Sequence, residues 1–249
     1  MKIYLLSLKK VKKYLFPLIS AFACALIIYT MQNPSVLAIK SLTDHQIFYR
    51  GNLEDYHITL TFNITEDAGN ISPLLTMLKK KKIQNATFFI SNDFAKKSPK
   101  MVEKIADMGY DIGLLGDKKQ NYKEMNRVEI AKHFEALRKN IEKCGIEEIH
   151  WLRLPNGTYT HDVLDIAKQF NFTIIHWSIN VEPNKKNNIY TLQTELKHGD
   201  LLVYEPIVPN IQLISDLSKV LPLLKEKGYT FVSITDLITN LQFQMKEIK

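Results

Sequence analysis

The segment that decides the fold is Ile58-Thr59-Leu60-Thr61-Phe62-Asn63-Ile64-Thr65. Its β-branched and apolar residues predict a buried β-strand. Turn-forming residues follow, and Ser72-Pro73 then predicts the start of a helix, because serine caps a helix and proline suits its first turn. Parallel α/β folds carry their chemistry where a strand ends and a loop begins. The polar residue at this strand end is Asn63, whose neutral amide cannot act as a general base.

The rest of the chain repeats the same strand–loop–helix unit. Because strands alternate with helices, the sheet should be parallel, either doubly wound or closed into a barrel. The sequence has no G-x-G-x-x-G, Walker loop or metal-spaced Cys/His cluster, and this favours a (β/α) barrel. Further helices are predicted at 98–109, about 130–141, 162–170 and 213–227, strands at 46–50, 57–63, 86–90, 111–115, 149–152, 172–177, 201–204 and 231–234, and a polar loop at 180–188.

The formal net charge of +7 comes mostly from the N-terminus. Five lysines and no acidic residue precede residue 39, and the remainder has 28 basic and 26 acidic side chains. Because basic and acidic side chains nearly balance in this part, its charge gives no reason to expect a nucleic-acid partner. The uncharged run Tyr14–Thr30 follows the lysines, which is typical of a signal peptide or an N-terminal membrane anchor. We therefore expect residues 1–38 to direct export, and the domain to lie outside the cytoplasm, membrane-anchored or secreted.

The domain boundaries follow from these patterns. Residues 39–56 are predicted to form a linker and a first strand, residues 57–240 the barrel, and residues 241–249 a C-terminal tail. The two cysteines are not expected to pair. Cys24 lies in the apolar N-terminal run, and Cys144 lies near the end of a predicted helix, where a small buried or surface thiol is the usual interpretation.

The strand ends resemble the motif series of the NodB-homology polysaccharide deacetylases, carbohydrate esterase family 4, over roughly residues 55–240. The motifs are Thr61-Phe62 at the first strand end, Gly109-Tyr110-Asp111-Ile112-Gly113 in the third strand and Arg153-x-Pro155-x-Gly157 after the fourth. The stretches 47–51 and 176–178 are similar to the PdaB-type sporulation branch. The resemblance implies a distorted (β/α) barrel of seven or eight strands that acts on N-acetylated glycans.

The resemblance also implies a catalytic set that this sequence lacks. Active members hold a divalent metal such as zinc with one Asp and two His, and use an Asp as base and a late His as acid. Here Asn63 stands at the base position and Glu205 at that of the acid. The metal-ligand positions are Ile64, Leu115 and Lys119. In a fourth motif, Asn180 replaces Asp and Pro183-Asn184 replace Asp-Trp. No resident metal or other cofactor is therefore expected.

The third motif is intact and supplies the candidate ligand-binding residues. Arg153 is expected to hold Asn63 or Glu205, or to contact a sugar, and Trp177 to stack on a sugar ring. Pro155 and Gly157 are also explained without a ligand, as residues that fix a turn. The aromatic residues are likewise explained by packing in the core; they are Trp177, Trp151 and Tyr204. His176 lies on an apolar strand, where a hydrogen-bonded core histidine is the ordinary interpretation. The candidate ligand-binding set is Arg153, Pro155, Asn156, Gly157 and Trp177.

Two ways of restoring chemistry remain open. A relocated metal site would be built from the nearest acids, which are Asp111, Asp117 and Glu205. Glu205 beside Arg153 would make an acid–base group, although an ion pair or a solvated rim residue is the simpler interpretation. Neither alternative replaces the metal's Lewis acidity at the family position.

Three functions follow from these patterns. The first is a degenerate deacetylase that binds peptidoglycan or another N-acetylated glycan in the cell wall or spore envelope, or acts as a structural sporulation factor. The second is an active peptidoglycan N-acetylglucosamine deacetylase with an unusual site. The third is a protein-interaction scaffold in the envelope. Metal content, acetate release and sedimentation with peptidoglycan separate the three.

Overall fold

The computed structural model describes residues 47–51, 56–157, 159–182, 188–207 and 211–238. Residues 58–64 lie in strand β2, His57–Ile64, and seven of the strand's eight residues are buried. It runs parallel to one strand on each side along its carboxyl half, Thr87–Ser91 and Leu201–Tyr204. Its Ile, Leu and Phe side chains belong to the central hydrophobic cluster. The predicted buried strand is confirmed.

Nine parallel strands are described, in the spatial order β1-β6-β5-β4-β3-β2-β8-β7, with β9 beside the start of β2. Successive strands from β2 to β6 are also neighbours in the sheet, as repeated right-handed βα units require. The strands are β1 Ile47–Phe48, β2 His57–Ile64, β3 Thr87–Ser91, β4 Asp111–Leu115, β5 Trp151–Arg153, β6 Thr173–Ile175, β7 Ile179–Val181, β8 Leu201–Tyr204 and β9 Thr230–Phe231.

The helices cover the outside of the sheet. The longest predicted amphipathic face is confirmed, since Ile130, Phe134, Leu137 and Ile141 are all buried on one helix. An Asn126–Glu129 capping box fixes that helix's start. The helices are α1 Ser72–Lys80, α2 Asn92–Lys97, α3 Pro99–Asp107, α4 Arg127–Glu142, α5 His161–Gln169, α6 Asn188–Thr194, α7 Ile211–Glu226 and α8 234–238.

Strands β6 and β7 join the two ends of the sheet. Strand β6 pairs with β5, β7 pairs with β8, and only residues 176–178 separate β6 from β7. One nearly continuous segment therefore bridges from β5 to β8 and curls the sheet towards a ring. The predicted distorted (β/α) barrel is confirmed.

Several predicted boundaries were wrong. The polar loop at 180–188 begins inside a strand, β7, because the backbone of Asn180 pairs with Val203 although its side chain is exposed. The short helix α2 was not predicted, and the last strand ends at Phe231, where the chain soon turns into α8. The first strand is only two residues long.

The predictions for residues 1–38 and for the tail at 241–249 lie outside the described residues. Within the described ranges, no helix combines the length and the apolar character needed to cross a membrane.

Candidate functional site

The carboxyl ends of five strands meet at one side of the sheet, and we call this region the mouth. Register places Ile64 of β2 beside Ile90 of β3, and Ser91 beside Leu115 of β4. Leu115 in turn lies beside Arg153 of β5. Tyr204 ends β8 on the other side of β2. The positions that the family resemblance singles out are therefore brought together.

Arg153 is the central polar side chain of the mouth. Its Nη1 donates to Thr61 Oγ1 over 2.8 Å and to Asn63 Oδ1 over 3.0 Å. Its Nε donates to the carbonyl of Ile175 over 3.1 Å, and Nη2 to that of His176 over 3.0 Å. One guanidinium thus ties β5 to β2 and to the end of β6.

The Arg153 side chain is buried among neutral groups. It is 0% exposed, and its Cζ lies 3.9 Å from the centroid of the Phe89 ring. Burial lowers the pKa of this guanidinium well below its usual value. Among the described residues, its hydrogen-bond partners are an amide, a hydroxyl and two carbonyls, and none is a carboxylate. This arrangement favours a role behind the site surface over direct contact with a sugar.

The family metal-ligand positions do not fit a metal. Ile64 and Leu115 offer only hydrocarbon and are 0% and 1% exposed. Lys119 is itself a cation, and its Nζ lies 3.2 Å from Glu66 Oε1 and 3.9 Å from Asp93 Oδ2. Among the described residues, no group of three or more His, Cys, Asp or Glu is placed to hold an ion. A divalent cation needs several lone pairs at fixed geometry, which this arrangement does not provide.

Glu205 does not pair with Arg153. Its carboxylate accepts from Lys118 Nζ, which reaches across from the loop after β4. Both side chains are partly exposed, so the pair is a rim ion pair of modest strength. The hypothesis of an Arg153–Glu205 acid–base group was wrong, because Arg153 is already bonded inside the barrel. The simpler interpretation, an ion pair, is confirmed.

A metal relocated to Asp111 is also excluded. Asp111 is the first residue of β4, at the opposite end from the mouth, whereas Glu205 follows the last residue of β8. The Asp111 carboxylate accepts from the Thr235 hydroxyl over 2.8 Å and from the Thr235 amide over 3.2 Å. Burial raises the pKa of this carboxyl despite those bonds. Asp111 therefore anchors α8. Asp117 accepts from the Lys119 amide within its own loop.

The third motif forms a tight turn against a histidine. Pro155–Gly157 is a single 3₁₀ turn, and Gly157 has φ 63°. A Cβ built on Gly157 would overlap Nε2 of His176. Glycine is therefore required both by the left-handed backbone and by the close approach of the imidazole. The predicted fixed turn is confirmed, while the Asn156 side chain falls outside the described residues.

His176 and Trp177 stack on each other beside this turn. Their ring centroids are 4.1 Å apart with an interplanar angle of 18°. The Trp177 ring lies 5.7 Å from Arg153 Cζ and is partly exposed. By contrast, Tyr204 is 1% exposed and stacks on Phe62, so it is a core residue. Trp151 is 8% exposed and its Nε1 donates to the Thr235 hydroxyl in α8, so it also belongs to the core.

The loop that carries Lys118 and Lys119 is held in place by the buried side chain of Tyr122. Tyr122 is 1% exposed, and its hydroxyl lies 2.8 Å from Nδ1 of His133 on α4. A Cβ on Gly116 would lie 2.6 Å from the same hydroxyl, so glycine is needed there. Burial lowers the pKa of His133, and the nearby Asp117 opposes that shift. The neutral imidazole is thus the form that the folded protein favours.

Sequence reasoning missed three parts of the site. Thr61 shares a strand face with Asn63, since side chains two apart point the same way, and this signal was available. Apart from its place in a buried strand, nothing in the sequence indicates that Phe89 packs against Arg153. The pairing of Lys118 with Glu205 could not be predicted either, because the two residues are 87 apart in the sequence. Of the fourth motif, Asn180 is exposed, and Pro183-Asn184 lie outside the described residues.

The chain matches a model of a known protein family. The model for polysaccharide deacetylase matches residues 50–175, which hold β2 to β6 and the Arg153 turn.

Curated relatives are similar along most of the chain. The uncharacterised protein YlxY of Bacillus subtilis is 24% identical over 220 residues, 85% of this chain and 66% of the relative. The peptidoglycan-N-acetylmuramic acid deacetylase PdaA of Bacillus subtilis is 24% identical over 213 residues, 82% of this chain and 80% of the relative. This chain therefore spans about two thirds of YlxY and more of PdaA.

Solved structures show the same fold. BA3943 of Bacillus anthracis, described as a family 4 carbohydrate esterase pseudoenzyme, superposes with a TM-score of 0.70 at 23% identity. That superposition covers 78% of this chain and 69% of BA3943. Bacillus subtilis PdaA superposes with a TM-score of 0.69 at 26% identity, covering 81% of this chain and 89% of PdaA.

Proposed function

Because this chain belongs to the polysaccharide deacetylase family, we propose that it is a degenerate member that binds an N-acetylated glycan without hydrolysing its acetamide. Peptidoglycan is the glycan we infer, since the names of several relatives specify peptidoglycan deacetylation. The proposed setting is the cell wall or spore envelope, reached through an N-terminal signal peptide or membrane anchor.

The observation that carries the proposal is the chemistry of Asn63 and its neighbours. Asn63 is 8% exposed, and its amide oxygen is bound by Arg153. An amide cannot accept the proton that a general base must remove, and such a base is worth about 10² to 10⁴ in rate. The flanking Ile64 and Leu115 provide no lone pairs for an ion. Among the described residues at the family positions, Asn63, Ile64 and Leu115 thus provide neither the base nor the metal ligands.

A related protein supports the same interpretation. BA3943 is described as a pseudoenzyme, and a mutant of it as having restored enzymatic activity. Loss of activity on an intact family fold is therefore documented for a protein of this fold.

Glycan contact is proposed for the turn and the exposed ring beside it. Trp177 is partly exposed and held by stacking on His176, so it can present a fixed apolar face to a sugar. Pro155 and Gly157 shape the adjoining surface, and Arg153 supports it from behind.

Acetate release tests the first half of the proposal. The full chain is incubated with N-acetylglucosamine oligomers and with peptidoglycan, in the presence of Zn²⁺ or Co²⁺ and, separately, a chelator. We expect no acetate above the blank. Turnover that depends on added metal and is abolished by chelator would show that the chain is an active deacetylase.

Sedimentation with insoluble peptidoglycan tests the second half. We expect the full chain to sediment and the Trp177→Ala variant to sediment several-fold less. Tyr56→Ala is the matched control, because Tyr56 is 55% exposed and precedes β2 at the end opposite the mouth. Equal losses in both variants, or no sedimentation of the unaltered chain, would contradict glycan binding at the mouth.

A further inference from the structure

A second groove lies on the outside of the barrel, between α1 and α7. It has a volume of about 650 Å³ and shares no residue with the Asn63–Arg153 site. Along α1 it runs from Ser72 to Lys80, which is about 12 Å at the rise of an α-helix. It is lined by Asn70, Ser72, Pro73, Thr76, Met77, Lys80, Lys81 and Ser218.

One end of this groove is strongly positive. Lys79 and Lys80 end α1, and Lys81 and Lys82 follow it directly. Lys225 of α7 donates to the carbonyls of Lys81 over 2.8 Å and Lys82 over 3.3 Å. Five lysines therefore lie at or beside this helix end, and two of them, Lys80 and Lys81, line the groove. Among the described residues, none of the five lies within 4.0 Å of a carboxylate oxygen. The negative end of the α1 dipole offsets only part of this charge.

Three residues with hydroxyl side chains also line the groove, beside the apolar Pro73 and Met77; they are Ser72, Thr76 and Ser218. Thr76 Oγ1 donates to the Ser72 carbonyl, which leaves its lone pairs to accept. Pro222 lies inside α7 and has no N–H, so the Ser218 carbonyl lacks its helical donor four residues on. A carbonyl without that donor, at a residue that lines the groove, suits a ligand hydroxyl.

We propose that this groove binds a polyol-phosphate polymer. Lysines bind phosphate as compact point charges, and the hydroxyl and carbonyl groups of the groove match a polyol chain. Single-stranded nucleic acid carries the same phosphate charge, but its bases stack on aromatic side chains. None of the described residues lining the groove is aromatic. A non-aromatic, hydroxyl-rich polyanion is the ligand class that fits.

Binding of a fluorescent poly(glycerol phosphate) oligomer to the full chain tests the proposal, measured by anisotropy over a range of salt concentrations. Lys80→Gln/Lys81→Gln should weaken binding about tenfold and reduce the slope of log affinity against log salt by about one to two. Lys96→Gln/Lys97→Gln is the matched control, because these lysines end α2 and are exposed. The control should bind within twofold of the unaltered chain.

A charge-neutral variant separates the groove from simple ion exchange. Thr76→Phe fills the groove and leaves every lysine in place, and it should weaken binding at least fivefold. Unchanged affinity in Thr76→Phe, or equal losses in the two double-lysine variants, would overturn the proposal. Tighter binding of a single-stranded RNA with the same number of phosphates would assign the groove to nucleic acid and overturn it as well. These outcomes do not depend on glycan binding at the mouth.

Discussion

Arg153 donates a hydrogen bond to the Asn63 side chain over 3.0 Å, and the pair joins a buried cation to a neutral amide. The same nitrogen bonds Thr61, whose hydroxyl donates to the Leu202 carbonyl over 2.8 Å. Strands β2, β5 and β8 are thus tied together by one polar network. An unpaired buried charge is costly, and the carbonyl and hydroxyl partners offset part of that cost.

Asn63→Asp should stabilise the protein. A carboxylate beside Arg153 forms a charge-assisted hydrogen bond, and we expect the free energy of unfolding to rise by about 1–2 kcal/mol at pH 7. Arg153 would hold the new carboxyl's pKa below the ordinary value of about 3.9. The gain is therefore present above about pH 4 and is lost as the pH falls through the lowered folded value. Urea denaturation measures the gain at pH 7 and its loss at pH 3.

Asn63→Ala is the matched control for that prediction. It leaves an Arg153 donor without an acceptor and should cost about 1–3 kcal/mol. Acetate release should stay at background in both variants, because Ile64 and Leu115 still provide no metal ligands. A destabilised Asn63→Asp protein would show that desolvation of the carboxylate exceeds its attraction to Arg153.

Replacing the ligand positions should create metal binding. In Asn63→Asp/Ile64→Asp/Leu115→His/Lys119→His, the apo protein should be less stable than the unaltered chain, because Ile64 is buried. Zn²⁺ at about 100 times its dissociation constant should then raise the free energy of unfolding of this variant by about 2.7 kcal/mol. Calorimetric titration gives the stoichiometry, and thermal unfolding with and without chelator gives the stability. The same variant with Ile64 retained is the control, and an equal response to Zn²⁺ there would contradict the assignment.

Gly157→Ala should disturb the aromatic pair at the mouth. The left-handed backbone alone costs a non-glycine residue about 1–2 kcal/mol, and the added methyl also overlaps His176 Nε2. We expect lower stability, a changed tryptophan fluorescence spectrum and weaker sedimentation with peptidoglycan. Adding His176→Ala should recover the steric part of the loss and leave the backbone part. If His176→Ala recovers nothing, the imidazole is not the obstacle.

His133 should make stability depend on pH. Burial lowers its pKa below the usual 6.5, so the unfolded chain binds the proton more readily than the folded one. The contribution of the neutral imidazole is complete above about pH 6.5 and is lost as the pH falls through the lowered folded value. His133→Gln should therefore flatten the dependence of unfolding free energy on pH between pH 7 and pH 5. Parallel curves for the two proteins would contradict this assignment.

Most of the fold could be predicted from the sequence because β2, β3 and β4 are short apolar runs bounded by turn residues. The failures have physical reasons. Strand β7 contains an exposed Asn180 and is held by backbone pairing with β8, so composition predicts a loop. That Ile64, Leu115 and Lys119 stand at the family's metal-ligand positions was visible from the sequence alone. The partner of Glu205 was not, because a surface ion pair between distant loops leaves no local pattern.

The pairing of β2 with β8 sets the order in which this protein can assemble. Strands β2 to β6 each find their neighbour in the next βα unit, whereas the Thr61–Leu202 bond joins residues 141 apart. Contacts that distant form slowly, because a long loop must close first. Until residues 201–204 have been synthesised, one side of β2 keeps its backbone groups free to pair with another chain. Ribosome-bound and partly folded molecules are therefore the forms of this protein most exposed to aggregation.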